Sequence, residues 1–313
     1  VAGTRRLLAS LQSFEVEQFL YASTMLVHAP SSPGERIDES TPIAPKWAYP
    51  KSKAAAEQVI REHHGHIHYV LLRLAGVYDE RTSVPTLSRQ IARIYERDFK
   101  SYLYSGDPRA GQSLLHRTDM VAAFRAAIDR RARIPSGTAI LVGEAEAVGY
   151  DDLQDAIGCL IHGEEDWRTL QVPKPAAQAG AWLEEKLEPA IPDAIDQGEK
   201  PFIRPFMIAM ADDHYALDIS RARELLGWEP RHHILKVLPA MMRELQNDPE
   251  RWYRENRIPA PEWIASAGQQ GSNAETVRTQ HESIVRGQHR RFLWAHFFNI
   301  AFGTWLLTSP PLI

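Results

Sequence analysis

The spacing of apolar residues predicts a regular succession of helices and strands in the first half of the chain. Leu7, Leu8 and Leu11 recur at helical spacing and predict a helix over residues 5–13. A second helix is expected to begin near Pro50, a residue favoured in a first helical turn. Two apolar runs predict strands at residues 18–23 (QFLYAS) and 68–74 (HYVLLRL). The second run is nearly continuous, which is typical of a strand covered on both faces.

These elements follow one another in the order helix, strand, polar loop, helix, strand. A further helix is predicted over residues 86–97 and a further strand over 138–142. This alternation is typical of parallel α/β sheets. The expected fold class is therefore α/β, in the form of the second half of a doubly wound, Rossmann-type parallel sheet.

The pattern changes after about residue 150. Helices are predicted over residues 151–161, 220–227 and 234–245, and Gly227 closes the second of them. A Pro-rich stretch over 172–205 is too long for a simple connection, and loops of that length are usually binding elements or lids. Residues 266–285 are polar and poor in aromatic residues, as linkers are.

The last residues have a different character. No residue from Phe292 to Ile313 carries a fixed charge, and this length is close to the roughly 20 residues of a membrane-spanning helix. Arg286, His289, Arg290 and Arg291 come just before it, as a cytoplasmic flank would. We therefore predict a membrane segment within residues 286–313 and a location on the cytoplasmic side of a membrane. The alternative is a buried C-terminal hydrophobic helix in a soluble cytoplasmic protein.

Composition excludes several classes of protein. The chain has 313 residues, of which 44% are hydrophobic and 24% charged, with a net charge of −4 and a pI near 6.4. Without a basic excess, a nucleic-acid partner is not expected. Cys159 is the single cysteine, so no disulfide framework forms within the chain. No signal peptide is present at the N-terminus. The sequence starts with Val1 rather than Met, which favours a fragment or a processed product.

A phenol and an ammonium stand four residues apart at the start of the second helix. Tyr49 and Lys53 occupy positions i and i+4, which lie on the same helical face. A nearby cation favours the phenolate and lowers the pKa of a Tyr hydroxyl, which makes proton transfer feasible. Ser23 and Thr24 end the preceding strand, where open α/β sheets place their ligand crevice. The combination indicates a catalytic site, although each part alone has an ordinary structural explanation.

Several motifs in the same order carry a resemblance to a known family. They are Val1–Thr4 (VAGT), Phe19–Thr24 (FLYAST), Tyr49-x-x-x-Lys53, Leu72–Tyr78 (LRLAGVY), His116-x-x-Asp119 and Asp218–Pro230 (DISRARELLGWEP). Together they resemble the extended short-chain dehydrogenases/reductases, the NAD-dependent epimerase/dehydratases. The resemblance covers roughly residues 1–250.

The resemblance implies a role for each matching residue. Tyr49 would be the catalytic acid/base and Lys53 would hold the nicotinamide ribose, so both would also contact the cofactor, NAD or NADP. Thr24, with Ser23 beside it, would orient a sugar-like or other hydroxylated small molecule. The backbone of Ala75, Gly76 and Val77 would lie close to the nicotinamide. Family members often pair through helices that include the Tyr-Lys helix, so a homodimer is implied as well.

The resemblance also implies a division of the chain. Residues 1–150 would form a partial dinucleotide-binding domain and 151–265 mainly a smaller substrate domain. A linker over 266–285 and the membrane segment over 286–313 would follow. Trp305–Pro310 (WLLTSP) is similar to the start of a small membrane repeat.

The sequence departs from the family pattern at several places. No Gly-rich turn for a pyrophosphate is present, so the chain is expected to be truncated at its N-terminus. Met25 and Leu26 stand where sugar-nucleotide dehydratases carry acidic residues, which disfavours dehydration. Gln112 stands where nucleotide-sugar enzymes usually carry an Arg that grips the diphosphate. A nucleotide-sugar substrate is thus not supported.

Two His/Asp groups resemble metal ligands, but simpler interpretations are preferred. His116 and Asp119 are expected to serve packing and helix capping, and Asp212–His214 to form a turn. No metal site is predicted.

The sequence is compatible with two functions of different classes. The first is an NAD(P)-dependent epimerase or dehydrogenase that transfers hydride at a carbinol carbon, with Tyr49 moving the proton. The alternative is a non-catalytic NAD(P)H-binding sensor or scaffold that is tethered to a membrane partner. Retention of both Tyr49 and Lys53 favours the enzyme, since a binding module has no evident need of a proton donor.

Overall fold

A computed structural model describes residues 1–97, 99–173 and 210–264 of the chain. The chain divides into two units, residues 1–244 and 245–313. All strands and the first five helices named below lie in the first unit, the sixth helix runs past residue 244, and the seventh lies in the second unit. The predicted substrate domain over 151–265 stays a prediction.

Seven α-helices are named here among the described residues. They are α1 (Ala2–Leu11), α2 (Ala48–His63), α3 (Pro85–Glu96), α4 (Arg117–Asp129), α5 (Tyr150–His162), α6 (Ile234–Asn247) and α7 (Pro249–Glu255). A π-helical turn over Ala222–Leu226 ends at Gly227, which adopts a left-handed conformation with φ of 57°. This is the helix closure predicted for that glycine, since a residue without Cβ adopts positive φ at little cost.

Eleven strands accompany them in the described ranges, most of them short. They are β1 (Phe19–Thr24), β2 (Arg36–Ile37), β3 (Tyr69–Leu74), β4 (Gly76–Tyr78), β5 (Leu103–Tyr104), β6 (Gly111–Gln112), β7 (Leu114–His116), β8 (Thr138–Val142), β9 (Val148–Gly149), β10 (Leu170–Gln171) and β11 (Ala216–Leu217).

A parallel sheet of three strands, in the order β1-β3-β8, forms the centre of the fold. Phe19 pairs with Tyr69 and Thr24 with Leu74, so β1 and β3 run in register over their whole length. The chain passes from β1 to β3 through α2, which is the crossover that parallel strands require. The predicted parallel α/β sheet is confirmed, and the C-terminal ends of β1 and β3 lie side by side.

Strand β3 is buried on both faces, as its apolar run predicts. Val70 and Leu72 pack into one core cluster, whereas Tyr69 and Leu71 pack into another. The alternation follows from the two-residue period of a strand. The second cluster includes Leu8 of α1, so the helix predicted at the N-terminus covers one face of the sheet.

We expect Ile140→Val in β8 to lower the free energy of unfolding by about 0.5–1.5 kcal/mol, because it removes one methylene from a packed core. Ile140 is fully buried in the larger cluster. Chemical denaturation measures the change, and Ile43→Val is the matched control because Ile43 is 49% exposed. An equal loss in both variants would contradict this assignment of the core.

Four short strand pairs extend the structure beyond the central sheet. Parallel pairs join β4 to β7, β5 to β10 and β2 to β11, and an antiparallel pair joins β6 to β9. The pair of β4 and β7 sets Gly76 beside Leu114.

Most predicted elements are confirmed, with ends that differ by at most three residues. Helix α4, which follows directly after β7, was not predicted. Its segment has weak amphipathic contrast, since Val121 and Ile128 are exposed although they are apolar. Exposed apolar residues of this kind weaken the 3.6-residue spacing of apolar positions on which helix prediction depends.

Part of the predicted architecture lies outside the described residues. This applies to residues 174–205 of the Pro-rich segment, to the linker over 266–285 and to the C-terminal stretch over 286–313. Within 1–97, 99–173 and 210–264, no helix has both the length and the apolar character needed to cross a bilayer.

Candidate active site

One face of α2 holds the predicted catalytic pair against the end of β1. Tyr49, Lys53 and Glu57 follow one another at intervals of four residues, so all three lie on the same side of the helix. The Lys53 ammonium donates a hydrogen bond to the carbonyl of Ala22, 2.8 Å away. The backbone of β1 therefore fixes the lysine beside the strand end.

The Tyr49 hydroxyl lies next to the predicted substrate-orienting hydroxyl. The Thr24 side chain lies close enough to the Tyr49 hydroxyl to lower its pKa through hydrogen bonding. The Lys53 Nζ atom lies 5.9 Å from the centre of the Tyr49 ring and 5.1 Å from that of Tyr21. Tyr49 remains 51% exposed, so a small molecule can reach it. The structure thus brings Tyr49, Lys53 and Thr24 together.

Burial affects the pKa values of Tyr49 and Lys53 more than their mutual attraction does. Partial burial raises the pKa of Tyr49, and the hydrogen bond with Thr24 offsets only part of that effect. Burial also lowers the pKa of Lys53. The lowered Tyr pKa expected from a neighbouring ammonium is therefore not found, because desolvation of the phenolate is the largest effect on this group.

Ser23 has a different environment from Thr24, although both were predicted as catalytic. Its side chain is buried and its hydroxyl donates to Oε1 of Glu57 at 2.5 Å. Neighbouring residues of a strand point to opposite faces. As a result, Thr24 faces Tyr49 while Ser23 is bound to a carboxylate beneath α2.

A buried ion pair lies under the catalytic face of α2. Arg73 on β3 donates from Nε to Glu57 Oε1 at 3.1 Å and from Nη2 to Glu57 Oε2 at 2.7 Å. The two side chains are only 3% and 2% exposed. Burial raises the pKa of Glu57, but hydrogen bonding and charge from Arg73, with Ser23 assisting, bring it below its usual value. Glu57 is therefore held as a carboxylate that joins α2, β1 and β3.

His28 completes this network on the side of the loop after β1. Its Nε2 lies 2.9 Å from Nη1 of Arg73, and its Nδ1 lies 2.7 Å from the carbonyl of Thr41. A guanidinium only donates hydrogen bonds, so Nε2 accepts and Nδ1 carries the proton. Burial and the Arg73 charge lower the pKa of His28 to about 4. The imidazole is thus neutral at physiological pH.

We expect His28 to make the fold sensitive to acid. The pKa falls from 6.5 to about 4 on folding, so the unfolded state binds the extra proton between these values. Stability associated with neutral His28 is present above pH 6.5 and is lost as the pH falls to about 4. The loss amounts to about 3 kcal/mol, because each pKa unit corresponds to about 1.4 kcal/mol.

His28→Gln keeps an acceptor for Arg73 but does not titrate. Free energies of unfolding of both proteins between pH 7 and pH 4 should therefore converge as the pH falls, with His63→Gln as the control at an exposed histidine outside the network. A constant difference between His28→Gln and the unaltered protein would contradict the burial of a neutral imidazole.

The backbone predicted to contact the nicotinamide lies where β3 passes into β4. The amide of Ala75 donates to the carbonyl of Val142 at 2.9 Å, and that of Gly76 donates to Ser113 at 3.3 Å. A Cβ at Gly76 would come within 3.0 Å of the Leu114 side chain, so a larger residue there would require that side chain to move. Contact of Ala75, Gly76 and Val77 with a cofactor stays a prediction.

The predicted capping role of His116 is confirmed. Its Nδ1 accepts a hydrogen bond from the amide of Thr118 at the start of α4. The Asp119 carboxylate accepts from the amides of Arg231 and His232, each at 2.9 Å, and therefore holds the segment before α6. Among the residues described here, no group of three or more His, Cys, Asp or Glu side chains has the arrangement of a metal site.

A cavity of about 180 Å³ lies beyond the β4-β7 pair. Tyr104 and Tyr150 stack on its wall with ring centres 3.7 Å apart. Its other lining residues are Thr86, Leu87, Gln90, Arg93, Leu103, Ser105, Ala110, Gly111, Gln112, Leu114, Val148, Leu153, Met210, Ala211 and Asp213. Leu114 lines the cavity and also pairs with Gly76, so this space is one strand away from the predicted nicotinamide contact.

An ion pair links the cavity to the loop that leads to Tyr49. Asp213, the buried middle residue of the Asp212–His214 segment, pairs with Lys46. The same segment turns, since the amide of Asp213 donates to the carbonyl of Met210. Lys46 precedes Tyr49 by three residues, so Asp213 connects the cavity wall with the catalytic helix.

Sequence reasoning missed the supporting residues of the site. Glu57 continues the four-residue interval of Tyr49 and Lys53, and Arg73 is a charged residue within an apolar strand. A buried strand carries a charge only if it is paired, so these two signals together could have suggested the ion pair. Nothing in the sequence pairs Tyr104 with Tyr150, which lie far apart along the chain.

Comparisons with known proteins agree with this architecture. Residues 1–143 match the family model described as the NAD dependent epimerase/dehydratase family. Sterol-4-alpha-carboxylate 3-dehydrogenase (decarboxylating) from Saccharomyces cerevisiae is 23% identical over 246 residues. Human dTDP-D-glucose 4,6-dehydratase is 29% identical over 126 residues. The alignments span 74% and 40% of this chain, but only 66% and 35% of those two proteins.

Solved structures share the fold at low sequence identity. UDP-glucuronic acid 4-epimerase from Bacillus cereus, in complex with UDP-glucuronic acid and NAD, is similar with a TM-score of 0.57 and 19% identity. dTDP-glucose 4,6-dehydratase from Bacillus anthracis, in complex with NAD, gives a TM-score of 0.59 and 18% identity. The matches cover 79% and 81% of this chain, and 67% and 69% of those chains. Residues 1–143 therefore resemble the NAD dependent epimerase/dehydratase family, and the solved structures share the fold.

Proposed function

We propose that this chain is the catalytic part of an NAD(P)-dependent oxidoreductase or epimerase that acts on a hydroxylated small molecule. The placement of Tyr49 beside Thr24 at the end of β1, with Lys53 held next to them, is the observation that carries this proposal. A substrate hydroxyl that reached Tyr49 would meet Thr24 as a second hydrogen-bonding partner. The relatives named above act on sugar nucleotides or on a sterol carboxylate, and both classes contain carbinol carbons.

The residues of this chain fit one end of a nicotinamide cofactor. Lys53 and Tyr49 offer an ammonium and a hydroxyl at the C-terminal end of β1, where doubly wound sheets bind dinucleotides. The sequence contains no Gly-rich turn for the pyrophosphate. When bound, the nicotinamide supplies or accepts the hydride. NAD is the cofactor named for both structural neighbours, and the choice between NAD and NADP remains open.

Each residue of the site has a role in the proposed reaction. Tyr49 takes the proton from the substrate hydroxyl during oxidation and returns it during reduction. Thr24 orients the substrate oxygen toward Tyr49. Lys53 holds its place through the Ala22 carbonyl and favours the phenolate form while the proton is away. Glu57 and Arg73 hold α2 in a fixed position against the ends of β1 and β3.

Isotope transfer tests the proposal directly. The full-length protein would be incubated with NADH or NADPH deuterated at C4 and with keto compounds that reduce to hydroxylated products. Deuterium in the carbinol position, detected by mass spectrometry, is the expected result. Cofactor binding without any transfer would overturn the enzymatic proposal and favour a cofactor-binding sensor.

A further inference from the structure

The cavity next to the β4-β7 pair has the lining of a site for an apolar ligand. Six aliphatic or thioether side chains lie on its wall: Leu87, Leu103, Leu114, Val148, Leu153 and Met210. The stacked rings of Tyr104 and Tyr150 form a flat aromatic surface there. Pockets of this kind bind small molecules mainly through apolar contacts and use a few polar groups for orientation.

Few charged side chains line the cavity, and each already contacts a partner residue. Arg93 is the single cation among the lining residues, and its Nη2 donates to the Tyr150 hydroxyl at 3.1 Å. Asp213 adds a carboxylate, which repels an anion at close range. A nucleoside diphosphate normally requires several cationic donors. This wall therefore favours a neutral ligand.

Asp213 also offers one unoccupied acceptor. The side chain is buried, and its Oδ1 pairs with Lys46. No described residue donates to its Oδ2. A buried acceptor without a donor costs free energy, which a ligand hydroxyl would recover.

From these contacts we infer the class of substrate that the cavity accepts: a neutral, apolar ring system whose hydroxyl group donates to Asp213. The inference rests on the proposed function, because the cavity would receive the part of the substrate that does not react at Tyr49. A cavity of about 150 Å³ accommodates a benzene ring. The 180 Å³ found here is therefore suited to one or two rings.

Three probes that share the naphthalene ring system separate the contributions of the apolar body, the hydroxyl donor and negative charge. 2-Naphthol has a flat apolar body with one donor, naphthalene lacks the donor, and 2-naphthyl phosphate carries negative charge. Calorimetric or NMR titration should give the order 2-naphthol, naphthalene, 2-naphthyl phosphate from tightest to weakest. Because the first turn of α3 also lines the cavity and helix N-termini attract anions, the phosphate is the decisive comparator.

Variants of the wall assign the binding to this cavity. Asp213→Asn should weaken 2-naphthol about tenfold and leave naphthalene within about twofold, since a hydrogen bond to a charged acceptor is stronger than one to a neutral acceptor. Lys46→Met removes the ion pair but keeps the carboxylate, so 2-naphthol should still bind. Equal weakening of both probes by Asp213→Asn would overturn the role of the carboxylate.

A substitution that adds positive charge to the cavity wall tests the opposite preference, for an anionic ligand. Gln112→Arg places a cation on the wall and should strengthen 2-naphthyl phosphate about tenfold over the unaltered protein. Gln58→Arg is the matched control, because Gln58 is exposed on α2 and does not line the cavity.

Two results would overturn the inference as a whole. One is a failure of 2-naphthol to bind the unaltered protein, and the other is tighter binding of 2-naphthyl phosphate or UDP-glucose than of 2-naphthol. These titrations need neither cofactor nor turnover. Their failure can therefore be distinguished from a failure of the hydride transfer at Tyr49.

Discussion

Tyr49→Phe is expected to lower kcat/KM by about 10²–10⁴-fold, which is the usual contribution of a positioned general acid or base. The substitution removes the hydroxyl next to Thr24 and leaves the ring beside Lys53. Cofactor affinity should change little, because Lys53 keeps its hydrogen bond to Ala22. Initial rates and an NAD(P)H binding titration on the same preparation would separate the two effects.

Tyr21→Phe provides a matched control for this experiment. The Lys53 ammonium also lies over the Tyr21 ring, at 5.1 Å from its centre, so both tyrosines adjoin the same cation. Thr24 acts on the pKa of Tyr49 but is not among the causes of the Tyr21 pKa shift. Tyr21→Phe should therefore retain activity within a few-fold. Full activity of Tyr49→Phe would remove that residue from the mechanism.

Arg73→Met is expected to lower the free energy of unfolding by about 3–5 kcal/mol. The reason is that loss of one partner leaves a buried charge without compensation. Glu57 would keep Arg61 and Ser23 as partners, but Arg61 lies at the surface side of α2 with 37% of its side chain exposed. Chemical denaturation at pH 7 measures the effect.

Two further variants decide whether the loss comes from the ion pair. Arg125→Met removes an exposed cation that pairs with Asp129 in α4, and such a surface pair contributes about 0–1 kcal/mol. The double variant Arg73→Met with Glu57→Leu should recover part of the lost stability, because no buried charge remains. A single variant as stable as the unaltered protein would show that Glu57 is already satisfied without Arg73.

The ion pair and the catalytic pair depend on the same helical face. Tyr49 and Lys53 reach the end of β1, whereas Glu57 is bound beneath them to Ser23 and Arg73. A shift of α2 along β1 would break all of these contacts together. Stability and proton transfer are therefore coupled through the position of one helix.

Much of the fold follows from local patterns that a single sequence contains. The apolar run of β3, the helical spacing in α2 and the left-handed Gly227 each depend on side chains close together in the chain. Tyr49, Lys53 and Thr24 could also be proposed in advance, because a four-residue interval and a strand end define their positions. In these cases backbone geometry leaves little freedom to the tertiary structure.

The remaining features required the folded chain, because they join residues that are distant in sequence. Ser23 and Thr24 are neighbours with the same chemistry, but the pleat of β1 turns one toward Glu57 and the other toward Tyr49. The pKa of Tyr49 was expected to fall beside Lys53, yet burial raises it, and burial is a property of packing. Likewise, Tyr104, Tyr150 and Asp213 form one cavity wall only after β5, α5 and the segment before β11 have come together.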